Sequence, residues 1–188
     1  MSIGMKRGTV YLEAHRPEWE TTVEETIRTL KAILADSAAD IQHIGSTSIK
    51  TISAKPIIDI AVAVTDFEAV LGRCDELEKA DIIFRFDERP EQLLFVMGDF
   101  DRDTRSHHIH VVRYASDEWN NYINFRDYLN CNINAAREYE EVKRRLAKQY
   151  PEDRIAYTDG KQQVIDKLLR EAREWREKSN SFSKEGLL

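Results

Sequence analysis

Apolar and polar positions follow two different periods along the first 115 residues. After Pro17, apolar side chains recur at helical spacing, which predicts an amphipathic helix near the N-terminus. Its apolar positions are Val23, Ile27, Leu30 and Leu34. Shorter segments with strand-like alternation and turn residues at their ends follow it. The remaining predicted elements are an extended segment at 9–12, strands at 41–45, 56–64, 82–86, 93–98 and 107–113, and a helix at 67–77.

The pattern beyond residue 115 is helical throughout. Ser116 is a favourable N-cap for a segment that reaches Leu129, and two more helices follow. Their apolar positions are Tyr139, Val142 and Leu146 in one, and Val164, Leu168, Ala172 and Trp175 in the other. The pattern therefore predicts one α+β domain over 1–188, with an α/β core at 8–115 and a helical segment packed on it at 116–179. Residues 180–188 lack periodicity, and we expect a flexible tail there.

Charge and cysteine content narrow the function classes. The chain has 28 Lys and Arg against 34 Asp and Glu, a formal net charge of −6, so no global positive field attracts a nucleic acid. Cys74 and Cys131 cannot form a disulfide framework. The N-terminus lacks the apolar stretch of a signal peptide, and no apolar run approaches the roughly 18 residues that span a bilayer. We therefore expect a cytoplasmic protein with no nucleic-acid or membrane partner.

A glycine-serine turn follows the strand predicted at 41–45. Glycine at position 45 permits close approach of an anion to the backbone N–H groups, and the hydroxyls of Ser46, Thr47 and Ser48 add donors. Asp59 lies on the small-residue face of the next predicted strand, where its carboxylate could hold a divalent cation beside a phosphate. The pattern therefore predicts a phosphate site at Gly45 with Asp59 as its catalytic carboxylate. The alternative is an ordinary turn followed by a structural carboxylate.

Two histidines share one face of the strand predicted at 107–113. His108 and His110 are two residues apart, so their side chains project in the same direction. If this strand neighbours Asp59, the three side chains form a two-histidine, one-carboxylate metal site, with His43 as a possible fourth ligand. The softness of these ligands favours Mn, Fe or Zn over Mg. For the protein as a whole, the expected cofactor is a divalent metal ion, Mg, Mn or Zn. Alternatively, the histidines form hydrogen bonds to buried polar groups.

Three cations are candidates for binding phosphate or carboxylate. Lys55 would act as a point charge and Arg105 as a bidentate partner, although each is equally compatible with a solvated surface position. Arg126 lies among aromatic residues on a predicted helix. Its guanidinium either reaches the site or pairs with a carboxylate such as Asp127 or Asp153, and the sequence favours the second interpretation.

Several motifs, in order, resemble the GrpB family. The segment 43–60 reads HIGSTSIKTISAKPIIDI and is similar to the family's His-Ile-Gly-Ser-Thr turn followed by Ala-Lys-Pro-Ile-Ile-Asp. RSHHIHVV at 105–112, Trp119 with FRDYL at 125–129, and the region from Tyr157 to Lys161 continue the match. The resemblance covers nearly the whole chain. It implies a nucleotidyltransferase-like mixed β-sheet core with an N-terminal helix and a C-terminal helical segment.

The resemblance also implies a reaction. Nucleotidyltransferases transfer a nucleoside monophosphate from a triphosphate with a Gly-Ser turn and an Asp-x-Asp/Glu pair. Gly45 and Ser46 match the turn and Asp59 matches the first carboxylate, whereas position 61 is Ala. The family also occurs fused to dephospho-coenzyme A kinase, a nucleotide-related setting.

The sequence thus favours a metal-dependent nucleotidyltransferase-like protein that acts on a nucleoside triphosphate or another phosphorylated small molecule. In this hypothesis the turn binds the triphosphate, Asp59 with the two histidines holds the metal, and Lys55 and Arg105 offset phosphate charge. Two alternatives are a non-catalytic nucleotide- or phosphate-binding module, which Ala61 favours, and a metal-dependent hydrolase. The sequence leaves the acceptor and the oligomeric state open.

Overall fold

The fold is an α+β arrangement of seven strands and seven helices over the part of the chain that is described. A computed structural model describes residues 3–85 and 91–185, with side chains described as far as residue 181. The strands are β1 (Met5–Lys6), β2 (Asp40–Ile44), β3 (Ile58–Val64), β4 (Ile83–Arg85), β5 (Gln92–Met97), β6 (Thr104–Arg105) and β7 (His107–Arg113). The helices are α1 (Glu18–Leu34), α2 (Phe67–Leu71), α3 (Cys74–Lys79), α4 (Asp117–Cys131), α5 (Ile133–Gln149), α6 (Arg154–Gly160) and α7 (Gln162–Glu185).

Five of these strands form one mixed sheet in the order β2-β3-β7-β5-β4. The central strands β3 and β7 are parallel, and every other neighbouring pair is antiparallel. A parallel pair requires a long crossover connection, which here contains α2, α3 and the β4–β5 hairpin. The expected α+β class, with a mixed sheet, an N-terminal helix and C-terminal helices, is confirmed.

The alternating pattern of β3 separates the two faces of the sheet. Ile58, Ile60, Val62 and Val64 pack with α1 and with residues of α2 and α3 in the main core. Ala61 and Ala63 face the other side, where Trp119 of α4 covers them. The small side chains on this second face let α4 approach the sheet closely, and Asp59 lies on the same face.

The C-terminal helices build a second apolar core against the segment that follows the Gly45 turn. Ile49 and Ile52 are buried against side chains of α4, α5 and α7. Helix α7 continues through Glu185, where the sequence predicted a flexible tail from residue 180. The hydroxyls of Ser179 and Ser181 donate to the carbonyl oxygens of Trp175 and Glu177. The hydroxyls of these serines are therefore satisfied by the carbonyl oxygens of the helix itself.

Other element boundaries differ locally from the predictions. The short ribbon of β1 and β6 was not predicted, and the expected extended segment at 9–12 forms no strand, although Glu13 makes a single bridge with Ala54. The predicted helix at 67–77 is divided into α2 and α3 around Gly72. Phe86, at the end of a predicted strand, and residues 186–188 lie outside the described residues. No helix among the described residues has both the length and the apolar character needed to cross a bilayer.

Candidate functional site

A cleft of about 240 Å³ opens between the start of β3 and helices α5 and α6. We call it the cation cleft. Asp59 lies at its floor, and the helices contribute tyrosine and cationic side chains. It is lined by Gly45, Ser46, Lys55, Ile57, Asp59, His108, His110, Tyr139, Arg154, Tyr157, Thr158 and Lys161.

The turn after β2 brings the backbone next to Asp59. Gly45 has a φ of 70°, and a Cβ at this position would overlap the Asp59 carboxylate and lie 2.8 Å from its Cβ. Only glycine allows this approach. Ser46–Ser48 forms a 3-10 turn in which the Ser48 hydroxyl donates to the Gly45 carbonyl at 2.6 Å. Thr47 is buried, with its hydroxyl 2.9 Å from His43 Nε2, so the hydroxyl of Ser46 is the one of these three that lines the cleft.

Asp59 and the two histidines meet in the cation cleft because of the strand register. Asp59 pairs with His108 across the parallel strands, and Ala61 pairs with His110. The Asp59 Oδ1 atom lies 3.3 Å from His108 Nδ1 and 3.9 Å from His110 Nε2. Burial acts to raise the pKa of Asp59, but the hydrogen bonds and charges of the two imidazoles outweigh it and hold the pKa well below its usual range. Asp59 is therefore ionised at neutral pH.

A hydrogen-bond chain orients the imidazole of His110. The Tyr122 hydroxyl donates to Gln92 Oε1 at 3.2 Å, and Gln92 Nε2 lies 3.0 Å from His110 Nδ1. In this arrangement Nδ1 of His110 faces the Gln92 amide, and Nε2 is the nitrogen that faces Asp59. His110 thus contacts Gln92 on one side of its ring and lies near Asp59 on the other.

The residues of the predicted metal site do not all come together. His43 pairs with Ile60 across β2 and β3, so it projects from the opposite face of the sheet to Asp59. There it lies in a separate pocket with His15 and Glu20. Within residues 3–85 and 91–185, no group of three or more His, Cys, Asp or Glu side chains is arranged to hold a metal ion. Metal binding by Asp59, His108 and His110 stays a prediction.

Cationic side chains on the helical side of the cleft were not identified from the sequence. Lys161 and Arg154 line it together with Lys55, which was predicted. The ammonium groups of Lys55 and Lys161 lie 5.4 Å and 4.6 Å from the ring centroid of Tyr157. Burial, then the charge of Lys161, lowers the pKa of Lys55 to about 8, and burial lowers that of Lys161. A bound anion would favour the charged form of both lysines.

The two arginines proposed from the sequence lie outside the cation cleft. Arg105, on the short strand β6, stacks on the Phe100 ring at 4.7 Å and lies 3.7 Å from Asp103. Arg126 donates to Asp127 Oδ1 at 2.8 Å, to Gln42 Oε1 at 2.8 Å and to the backbone carbonyl of His43 at 3.1 Å. Arg126 therefore pairs with a neighbouring carboxylate, which is the interpretation that the sequence favoured. Its other contacts connect α4 to β2.

This placement predicts that Arg126→Met destabilises the fold without affecting anion binding. The substitution leaves Gln42 Oε1 and the His43 carbonyl without their charged donor, which costs about 1–3 kcal/mol of unfolding free energy. Urea unfolding measures this loss, and calorimetric titration with inorganic tripolyphosphate measures anion affinity. Arg145→Met on the exposed side of α5 is the matched control. Weaker tripolyphosphate binding by Arg126→Met at unchanged stability would contradict the placement.

Comparisons with known proteins agree on one family and one fold. The family model described as GrpB protein matches residues 9–171. The glutamate-rich protein GrpB of Alkalihalophilus pseudofirmus is 38% identical over 172 residues, 90% of this chain and 99% of that protein. The crystal structure of conserved protein GrpB from Enterococcus faecalis has a TM-score of 0.80 at 30% identity, covering 88% of this chain and 99% of that one. A structure of Cid1 in complex with its short product ApU has a TM-score of 0.51 at 14% identity, covering 72% of this chain and 42% of that one, and shows a shared fold only.

Proposed function

The chain belongs to the GrpB family, and from the geometry of its cleft we propose that it is a metal-dependent nucleotidyltransferase-like protein. In this proposal it binds a nucleoside triphosphate and transfers the nucleotidyl group to an acceptor. The observation that carries the proposal is the cation cleft. There Lys55, Arg154 and Lys161 face Asp59 beside the turn at Gly45.

The charges of the cation cleft favour a polyanionic ligand. None of its three cations forms an ion pair within 4.0 Å among the residues described. Asp59 is the carboxylate among the lining residues, so positive charge exceeds negative charge. Lys55 and Lys161 are half-buried, whereas Arg154 is exposed. Burial of the two lysines without an anionic partner is costly, and a bound triphosphate would offset that cost. Gly45 and Ser46 of the glycine turn also line the cleft, where their backbone N–H groups would add donors.

A single carboxylate is compatible with a metal ion that arrives with the triphosphate. Mg²⁺ in phosphoryl-transfer sites is usually held by one or two carboxylates together with substrate phosphates. Asp59 is the residue that would hold it, with His108 and His110 as further predicted ligands. When bound, the ion would offset charge on the phosphoryl oxygens. Because its pKa is held low, Asp59 is better suited to this role than to accepting a proton.

In the proposed reaction, an acceptor oxygen forms a bond to the α-phosphorus while the bond from that phosphorus to the α–β bridging oxygen breaks. Pyrophosphate leaves with its charge facing Lys55, Lys161 and Arg154, and the acceptor proton passes to solvent. These cations act on the leaving group electrostatically, which is the main contribution that proteins make to phosphoryl transfer.

The second candidate function is a non-catalytic nucleotide- or phosphate-binding module. Ala61 favours it, because this residue pairs with His110 at the position where a nucleotidyltransferase carries its second carboxylate. A binding module would retain the glycine turn and the cations while losing the ligands for a second metal ion. The third possibility, a hydrolase, uses the same residues with water as the acceptor.

Incubation with radiolabelled nucleoside triphosphates separates these functions. The protein is tested with ATP, GTP, CTP and UTP, each with Mg²⁺, Mn²⁺ or Zn²⁺ and a panel of hydroxyl-bearing acceptors. We expect metal-dependent release of pyrophosphate together with transfer of label to an acceptor. Thermal stabilisation by triphosphate without pyrophosphate release would favour the binding module, and release of phosphate or nucleoside monophosphate without an acceptor would favour the hydrolase.

A further inference from the structure

A second cavity, of about 400 Å³, also borders Asp59. It shares Gly45, Asp59 and His110 with the cation cleft. Its remaining walls are largely apolar and come from β2, α4 and α7, so we call it the apolar chamber. These walls are Ile44, Glu118, Asn121, Tyr122, Phe125, Gln162, Ile165 and Leu169.

We infer that the apolar chamber binds the nucleoside part of the triphosphate, with the base between the side chains of α4 and α7. This inference rests on the proposed function, because it assumes that the phosphates occupy the cation cleft. The ligands expected are nucleoside triphosphates, which would occupy both cavities. Inorganic polyphosphates would bind in the cation cleft alone.

The covalent connectivity of a nucleotide supports this position. If the β- and γ-phosphates lie against Lys55, Lys161 and Arg154 and the reacting phosphorus lies at Asp59, the sugar and base must continue away from the cations. The apolar chamber also borders Asp59, and none of these three cations is among its lining residues. Placement of the base in the cation cleft is disfavoured, because the Tyr157 ring there already carries two ammonium contacts.

The chemistry of the chamber also fits a planar heterocycle. Tyr122 and Phe125 provide aromatic surface, on which bases stack with little sequence preference. Ring contacts hold both in place, at 5.5 Å from Tyr122 to His110 and 5.3 Å from Phe125 to Tyr139. Ile165 and Leu169 form the opposite, aliphatic wall on α7.

Asn121 and Gln162, which line the chamber, each use one amide atom in a contact with a protein partner. The Asn121 oxygen accepts two bonds from Arg173, which directs its amide nitrogen elsewhere as a donor. Gln162 Nε2 donates to Asp166 at 2.7 Å, which leaves the Gln162 oxygen as an acceptor. A lining with a donor and an acceptor matches the mixed edges of nucleobases.

The test compares ligands that carry a nucleoside on the triphosphate with one that has no nucleoside. Affinities for ATP, GTP, CTP and UTP and for inorganic tripolyphosphate are measured by calorimetry with Mg²⁺ for the wild type and for Leu169→Trp. Leu169 is only partly buried, and a tryptophan there would fill the apolar chamber. We expect the variant to lose about tenfold or more in affinity for the nucleotide that the wild type binds most tightly. Its affinity for tripolyphosphate should stay within about twofold of the wild type. Gln163→Trp, at an exposed position of the same helix, is the matched control and should change neither affinity.

The outcomes separate this inference from the proposed function. Equal wild-type affinities for tripolyphosphate and all four nucleotides, or unchanged nucleotide affinity in Leu169→Trp, would overturn the position of the nucleoside while leaving anion binding in place. Failure of the wild type to bind any of these ligands would overturn both proposals. Should Leu169→Trp fail to fold, Phe125→Leu removes a stacking surface at similar volume, and it must weaken nucleotide binding severalfold more than tripolyphosphate binding.

Discussion

Replacement of Asp59 with asparagine is expected to reduce nucleotidyl transfer on the order of 1,000-fold or more. Asparagine keeps the shape of the side chain but removes the charge that would hold a divalent ion at the reacting phosphate, a contribution of several kcal/mol. The same substitution should affect anion binding in the opposite direction when metal is absent. Asp59 repels phosphates in the cation cleft, so its neutral replacement should bind tripolyphosphate more tightly in the presence of a chelator.

Two measurements check this prediction. Pyrophosphate release reports the reaction, and calorimetric titration with and without Mg²⁺ reports the two contributions of Asp59 to binding. Asp40→Asn is the matched control, because Asp40 lies on β2 at some distance along the strand from the Gly45 turn and does not line the cation cleft. Retained transfer in a folded Asp59→Asn protein would exclude Asp59 as the catalytic carboxylate. If Asp59→Asn instead binds tripolyphosphate more weakly than the wild type in the presence of a chelator, Asp59 maintains the structure of the cleft.

Much of the fold was predictable because β3 and β7 could be recognised as strands, in which successive side chains point to opposite faces. Period-2 alternation determines which side chains share a face, so the pattern alone places Asp59 on one face with Ala61, and His108 on one face with His110. Strand order could not be obtained in this way. Whether β7 neighbours β3 depends on the crossover through α2 and α3 and on the β4–β5 hairpin, and no local pattern specifies that connection.

The candidate site was less predictable, because half of it comes from distant sequence. Arg154 and Lys161 reach the cleft through the packing of α6 against the rest of the helical segment, and periodicity alone marks neither as a site residue. The matched region from Tyr157 to Lys161 was the one signal that pointed to this part of the chain. His43 was misplaced for a different reason. Its strand position puts it on the face opposite Asp59, which follows only from the antiparallel register of β2 with β3.

Lys143 differs from the lysines of the cleft because its ammonium donates a hydrogen bond to a backbone carbonyl of the protein. Its side chain is 1% exposed, and its ammonium donates to the backbone carbonyl of Ser53 at 2.6 Å and lies 4.7 Å from the Tyr139 ring centroid. Burial, followed by the charge of Lys161, lowers the pKa of Lys143 to about 7, although Glu140 opposes this shift. This lysine fastens α5 to the segment between the glycine turn and β3, and its protonation is coupled to folding.

The stability of the fold is therefore expected to rise with pH relative to a Lys143→Met variant. Between the folded pKa of about 7 and the ordinary value of 10.5, the unfolded chain binds a proton at Lys143 that the folded chain does not, so raising the pH favours the folded state. A shift of this size corresponds to roughly 5 kcal/mol over that interval. The loss of the bond to Ser53 in the variant adds an offset that does not depend on pH.

Urea unfolding of wild type and Lys143→Met between about pH 6.5 and 10.5 measures the effect as a difference, in which the titration of other groups largely cancels. The unfolding free energy of the wild type minus that of the variant should increase with pH by up to the amount given above. Lys148→Met, at an exposed position of the same helix, should show no such slope. Parallel pH profiles for wild type and Lys143→Met would mean that Lys143 keeps its ordinary pKa when buried. The charge of Glu140 would then have to offset the cost of burying the ammonium fully.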